Sequence, residues 1–285
     1  MYCHASVQEL ISTERSRLGK MLPGASLLLL SAALWGLSEG CWGTPGCRVV
    51  DMSHSLDTRS QKFPIMPDFH LTLLTRGIQD GGYWTEYYKF DTPEHISTHM
   101  DAPSHFAQEG WKLNEIPIER FMGPGVVIDI RAKAARNPDY RLGIVDLRTW
   151  EKRYGKIPDG AIVFLWSGWD VRYPNTTSFF NTNPSDASFH FPGFHPAAMS
   201  WLVNKRNISM IGVDTPSVDY GPSTTFETHQ VMCKANIMGL EMVNNLGLIP
   251  ASGAHITALP IKLLNGSGGL TRVVATFIQE KNCAY

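Results

Sequence analysis

Three of the ten histidines in this chain fall in one run, Glu94-His95-Ile96-Ser97-Thr98-His99-Met100-Asp101-Ala102-Pro103-Ser104-His105-Phe106. On an extended strand successive side chains alternate faces, so His95, His99, Asp101 and His105 would project to one side. A helix fails the same test, because Asp101 would turn away from His99 and Pro103 would break the turn. Two imidazoles with a carboxylate suit Zn²⁺ or Mn²⁺ and leave positions open for water and substrate. An ion held so lowers the pKa of bound water toward ~7 and polarises a carbonyl, which is the chemistry of hydrolysis.

Such a run needs a scaffold, and the rest of the sequence supplies one. Val126 to Ile130, Ala161 to Leu165, Ile208 to Val213 and Thr271 to Ile278 are short apolar runs rich in β-branched residues, expected as buried strands. Asp146 is placed to cap a helix carrying Leu147, Trp150 and Tyr154 and ending at Gly155. Pro196 opens another through Asn204, with Ala197, Ala198, Trp201 and Leu202 as its apolar face. The interleaving predicts an α/β class and one domain from about residue 48 to the end. Asn265 to Gly269 lacks the Lys of a phosphate-binding loop and is expected as a turn before the last strand.

The 285 residues are 43% hydrophobic and 18% charged, with a net charge of −1, which excludes a disordered chain and leaves no basic field for nucleic acid. Residues 1–40 are expected to be a leader. Arg15, Arg17 and Lys20 precede an apolar stretch from Met21 to Leu37, and Ser38-Glu39-Gly40 offers small residues for cleavage before Cys41. The stretch falls short of the ~20 residues of a membrane span, so the mature form is expected without one. A secreted or lumenal glycoprotein follows, with sequons at Asn175, Asn207 and Asn265. Cys41 or Cys47 is expected to pair with Cys283, and Cys233 to be either a partner or a buried thiol.

The string His95-x-x-Thr98-His99-x-Asp101-Ala102-Pro103-x-His105-Phe106 resembles the signature of the cyclase family of metal-dependent hydrolases, which includes bacterial-type kynurenine formamidase and isatin hydrolase. Asp51-Met52-Ser53-His54 with Pro67-Asp68, Gly123-Pro124 and Ile211 to Asp219 extend the resemblance through most of the expected domain, residues 41–285. It implies a swivelling β/β/α single domain with a mixed β-sheet, assembling as a homo-oligomer. It also implies a mononuclear or dinuclear centre of one or two Zn or Mn ions. The family's remaining ligands, a His and a Glu twelve residues apart, match His229 and Glu241, with a bend between them because one helix would splay the pair. By resemblance His95, His99 and Asp101 hold a first ion, Asp101 and Glu241 bridge, His229 binds a second, and His105 is the acid/base, titrating near neutrality. Ser97 stands where many relatives have Gly.

The expected activity is hydrolysis of a small-molecule amide at a C–N bond other than a peptide bond. N-formylkynurenine, an intermediate of tryptophan catabolism, is the lead substrate and a cyclic amide such as isatin the alternative. Phe63, Phe69, Tyr83, Trp84, Tyr87 and Tyr88 are read as a substrate pocket, core or a subunit interface. A serine hydrolase has no G-x-S-x-G elbow to rest on. A secreted binding protein of the same fold is the non-enzymatic alternative, against which the six intact polar residues argue.

Overall fold

Strands buried on both faces need apolar side chains at successive positions, and the runs starting at Val126, Ala161 and Ile208 meet that demand, while that from Thr271 to Ile278 alternates with exposed positions such as Arg272. A computed structural model of the chain describes residues 44, 46–185 and 187–279. The expected leader, with Cys41 and Cys283, lies outside them. The strands are β1 (Cys47–Asp51), β2 (His70–Ile78), β3 (Trp84–Asp91), β4 (His99–Asp101), β5 (Met122–Asp129), β6 (Arg141–Leu142), β7 (Ile162–Trp166), β8 (Gly193–Phe194), β9 (Met210–Val213), β10 (Met238–Glu241), β11 (Ser252–Pro260) and β12 (Gly268–Ile278). The helices are α1 (Arg131–Ala134), α2 (Ile144–Tyr154), α3 (Thr176–Phe180), α4 (Pro196–Lys205) and α5 (Glu227–Lys234).

Eight strands form one sheet in the order β1-β12-β11-β5-β7-β9-β10-β4, and β4 also pairs with the start of β12, closing the sheet into a barrel-like ring. β5, β7, β9 and β10 run parallel, while β1, β4, β11 and β12 enter antiparallel, so the sheet is mixed, as expected. Alternation along the central strands splits the core in two. Val127, Ile162, Phe164, Met210, Met238 and Ile256 pack together on one side. Val126, Val163, Leu165 and Ile211 meet Leu147 and Trp150 of α2, Met199 and Leu202 of α4 and Met232 of α5 on the other. A third, aromatic cluster gathers Trp169, Tyr173, Phe179, Phe180 and Phe191.

Helix boundaries differ slightly from expectation. Gly143, not Asp146, is the N-cap of α2; the Asp146 carboxylate reaches back to accept the Gly143 N–H at 2.8 Å, the reciprocal half of a capping box. Gly155, at φ 92°, ends that helix as predicted. α4 begins at Pro196 and runs one residue past Asn204.

β2 and β3 stand apart as a two-stranded ribbon that joins no other strand among the described residues. Its cross-strand pairs Leu71 with Phe90, Leu73 with Tyr88 and Ile78 with Trp84 are all exposed. Cys47 is disulfide-bonded, and Cys233 is a buried free thiol.

Candidate metal centre

The polar run is not one extended strand. Glu94 to Thr98 is a series of bends, only His99–Asp101 is strand, and Pro103–His105 is a single 3-10 turn. Ser97 sits at φ 54°, the left-handed region that glycine enters without cost. Its hydroxyl accepts from Tyr173 Oη at 2.9 Å. Only His99 and Asp101 share a face through strand alternation; His95 and His105 reach them through the flanking turns. His229 lies on α5 and Glu241 ends β10, with Asn236 at φ 52° between them, so the expected bend separates the pair.

The six predicted side chains nonetheless converge. Asp101 Oδ1 lies 2.8 Å from His95 Nδ1 and 3.3 Å from His99 Nε2, and its Oδ2 lies 3.2 Å from His229 Nε2. Glu241 repeats the pattern, with Oε2 3.6 Å from His99 Nε2 and Oε1 3.3 Å from His229 Nε2. Each carboxylate therefore spans both halves of the cluster. The ligand atoms of His95, Asp101 and His105 lie within 4.8 Å of one another, as do those of His99, Asp101 and Glu241.

The outer nitrogens decide what the cluster can hold. His99 Nδ1 lies 2.9 Å from the Ser97 carbonyl, which can only accept, so that nitrogen carries the proton and Nε2 is bare. Among buried polar atoms, His99 Nε2 is one that lacks any hydrogen-bond partner. His229 Nδ1 is held in the same way by Asp219 Oδ2 at 2.6 Å, leaving Nε2 turned inward. Bare nitrogens thus face carboxylate oxygens in a buried pocket, an arrangement that repels unless a cation lies between them. Nitrogen and oxygen donors around a shared carboxylate fit Zn²⁺ or Mn²⁺.

Without an ion the cluster draws protons. Burial would depress His229 and His99, but contacts with Asp101 and Glu241 outweigh it, raising His229 well above its ordinary value and His99 to a lesser degree. Burial would raise Asp101, but three imidazoles hold it well below the usual carboxylate range. His105 departs from expectation: burial lowers it to about 4 instead of leaving it near neutrality. It is neutral at pH 7 and stacks on His95 with ring centroids 4.0 Å apart.

A cavity of about 240 Å³ opens onto the cluster, walled by Phe63, Ile65, Met66, Phe106 and Phe226. Of the aromatic residues proposed from sequence, only Phe63 lines it. Phe69 is core, and Tyr83, Trp84, Tyr87 and Tyr88 lie exposed on or beside the ribbon. Sequence reasoning assigned no role to several supporting groups. Asp219 holds His229, and Val218 N–H donates to Glu241 Oε1 at 2.9 Å. Asp214 accepts from Ser167 Oγ and from the N–H groups of Ser167, Gly168 and Trp169, pinning the loop after β7. Asp214 and Asp219 were visible as part of the Ile211 to Asp219 resemblance, which was the only signal for them.

Comparison with known proteins agrees with this geometry. The family described as Putative cyclase matches residues 50–220. An isatin hydrolase of Roseibium aggregatum is 30% identical over 191 residues, covering 64% of this chain and 71% of that protein. A kynurenine formamidase of Salinibacter ruber is 26% identical over 226 residues, covering 79% of this chain and 96% of that one. Among solved structures, isatin hydrolase A from Labrenzia aggregata bound to benzyl benzoate superposes with a TM-score of 0.77 at 30% identity, covering 90% of this chain and 100% of that chain.

Proposed function

This chain belongs to the cyclase family of metal-dependent hydrolases, and from that premise we propose that it hydrolyses the C–N bond of a compact aromatic amide, with His95, His99, Asp101, His229 and Glu241 holding one or two Zn or Mn ions and His105 as acid/base. The observation that carries this reading is the set of inward-facing imidazole nitrogens and carboxylates at the floor of an aromatic cavity. Held by these residues, a divalent ion would supply Lewis acidity for a carbonyl and acidify water. The protein's own residues do the rest. His105 lines the cavity neutral, so it can accept a proton at neutral pH and return it to the departing nitrogen. Phe63, Phe106 and Phe226 offer flat apolar walls for an aryl ring.

N-formylkynurenine and isatin are the two substrates to separate. The first carries an amino-acid head whose carboxylate calls for a cationic partner, and the described residues lining the cavity include no Lys or Arg. That favours the uncharged cyclic amide. The test is turnover of both compounds before and after chelation, with Zn and Mn counted per subunit. Metal-dependent opening of isatin supports this ranking, release of formate from N-formylkynurenine reverses it, and turnover indifferent to chelation refutes the metal centre.

The reading includes a secreted or lumenal, self-associating protein. The disulfide at Cys47 and the exposure of Asn175, Asn207 and Asn265 support the compartment. The β2–β3 ribbon supports self-association, since a lone two-stranded ribbon with apolar cross-strand pairs is at best marginally stable until something covers it. No helix among the described residues is long and apolar enough to cross a membrane.

A further inference from the structure

His95 differs from the other two imidazoles in what holds its outer nitrogen. His99 and His229 lean on groups that can only accept, a carbonyl and a carboxylate. His95 Nε2 instead lies 3.1 Å from Ser267 Oγ, a hydroxyl able to donate or accept. If that hydroxyl donated to His95, the histidine would keep its proton on Nδ1, the nitrogen 2.8 Å from Asp101 Oδ1, and could not offer that atom to an ion. The choice falls to a third residue. Ser267 Oγ lies 2.6 Å from Glu94 Oε2, and the same carboxylate oxygen accepts from Ser267 N at 2.9 Å and Gly268 N at 3.1 Å. A carboxylate oxygen at that distance takes the single hydroxyl proton, so Ser267 is left to accept from His95 Nε2–H.

We propose that Glu94 and Ser267 are positioning residues that fix His95 as its Nε2–H tautomer and so present a bare Nδ1 to the metal centre; this rests on the metal-dependent reading above. The segment bearing Ser267 is built to stay in register. The Ser267 carbonyl accepts from Ala102 N at 2.9 Å, and Gly268 and Gly269 pair with Asp101 and Met100 of β4. Gly268 has no side chain where a Cβ would meet His95 Cε1 at 2.5 Å, so the imidazole lies directly against the β12 backbone. Outer partners of metal-bound histidines set tautomer and orientation, and their loss costs about 10- to 100-fold in metal affinity.

The experiment uses the full chain and Zn²⁺, with affinity measured by competition against a chromophoric chelator and the His95 tautomer read from imidazole ¹⁵N shifts in the metal-free and zinc-loaded protein. Ser267→Ala is expected to weaken Zn²⁺ about 10- to 100-fold and to lose the Nε2–H signature of the zinc-loaded protein. Ser267→Thr, which keeps both the hydroxyl and the Asn265 sequon, is expected to restore both readouts. Glu94→Ala frees the hydroxyl proton and is expected to shift His95 toward Nδ1–H with Ser267 intact. Asn265→Gln, which removes the sequon alone, is expected to change neither. Parental zinc affinity together with a parental tautomer in Ser267→Ala and Glu94→Ala overturns the proposal. Should the parent bind no zinc, the metal reading itself fails; Asp101 then accepts from His95 Nδ1, and the positioning role is decided by whether Nε2 keeps its proton in the metal-free parent and loses it in Ser267→Ala and Glu94→Ala.

Discussion

Replacing Gly268 by alanine asks how tightly β12 holds the centre. The residue has an ordinary backbone conformation, so the substitution acts only through the added carbon, 2.5 Å from His95 Cε1, 2.9 Å from His95 Nδ1 and 2.8 Å from the Met100 carbonyl. Ordinary contact begins near 3.4 Å, so relief requires about 0.9 Å of movement (3.4 less 2.5) by His95, by β12, or by both. Overpacking of that kind costs about 1–3 kcal/mol of stability. Metal–ligand distances tolerate only about 0.2 Å, so an imidazole displaced this far ceases to be a good ligand. Loss of zinc affinity by at least ~10- to 100-fold is therefore expected on top of the stability cost. Gly253→Ala is the comparison. It sits at φ 95° with nothing within 4 Å of the added carbon, so it pays backbone strain of about 1 kcal/mol or more without touching the centre. Zinc per subunit and zinc affinity, measured beside the melting temperature of the chelated proteins, separate the two effects. A Gly268→Ala protein that binds zinc as the parent does would refute the claim that the imidazole and β12 are in fixed contact.

Further outcomes follow from the same geometry. His99→Ala is expected to lose both metal and turnover, because it removes a buried, inward-facing nitrogen, whereas His105→Ala keeps the metal and loses about 10²- to 10⁴-fold in rate; equal metal loss in the two by elemental analysis would overturn that division. His54, stacked on Tyr173 at 3.6 Å, is lowered to about 4 by burial, so the unfolded chain takes up a proton near 6.5 while the folded chain resists it. The stability due to neutral His54 is therefore complete above pH 6.5 and declines toward pH 4, by about 2 kcal/mol at pH 5; urea titrations of parent and His54→Phe at pH 7 and pH 5 should diverge by that amount, and parallel curves would count against it. If the chain self-associates through the ribbon as proposed, Trp84→Glu with Phe90→Glu, both exposed there, should lower its mass in light scattering to that of a monomer; a multimeric mass that the two changes leave unaltered, or a parent that is already monomeric, would refute the ribbon contact.

What could be read from sequence divides by distance along the chain. The cluster from His95 to His105 was legible because its polar residues are close neighbours in sequence, and the central strands because parallel ladders demand uninterrupted apolar runs. The conformation of that cluster was not. Alternation places His99 and Asp101 correctly, but it cannot foresee that Ser97 turns left-handed or that Pro103 starts a 3-10 turn. His229 and Glu241 came from resemblance, since nothing local marks a histidine on α5 as facing an aspartate on β4. Glu94 illustrates the limit most sharply. It lies next to His95 in sequence yet acts through Ser267, and that contact exists only because β12 closes against β4.

That closure connects fold to chemistry. β4 is only three residues long and borders two strands at once, β10 on one side and β12 on the other. β10 brings Glu241 opposite His99, and the approach to β12 brings Ser267 beside His95. β4 is thus held by the ladder that brings Glu241 to the cluster and by the ladder that brings Ser267 beside His95. Loosening either ladder should disturb the centre before it unfolds the ring, because a ligand tolerates tenths of an ångström while a β-ladder tolerates far more. A substitution in the β4–β12 seam that lowers stability modestly should therefore lower metal affinity by a larger free energy than one of equal cost elsewhere in the sheet.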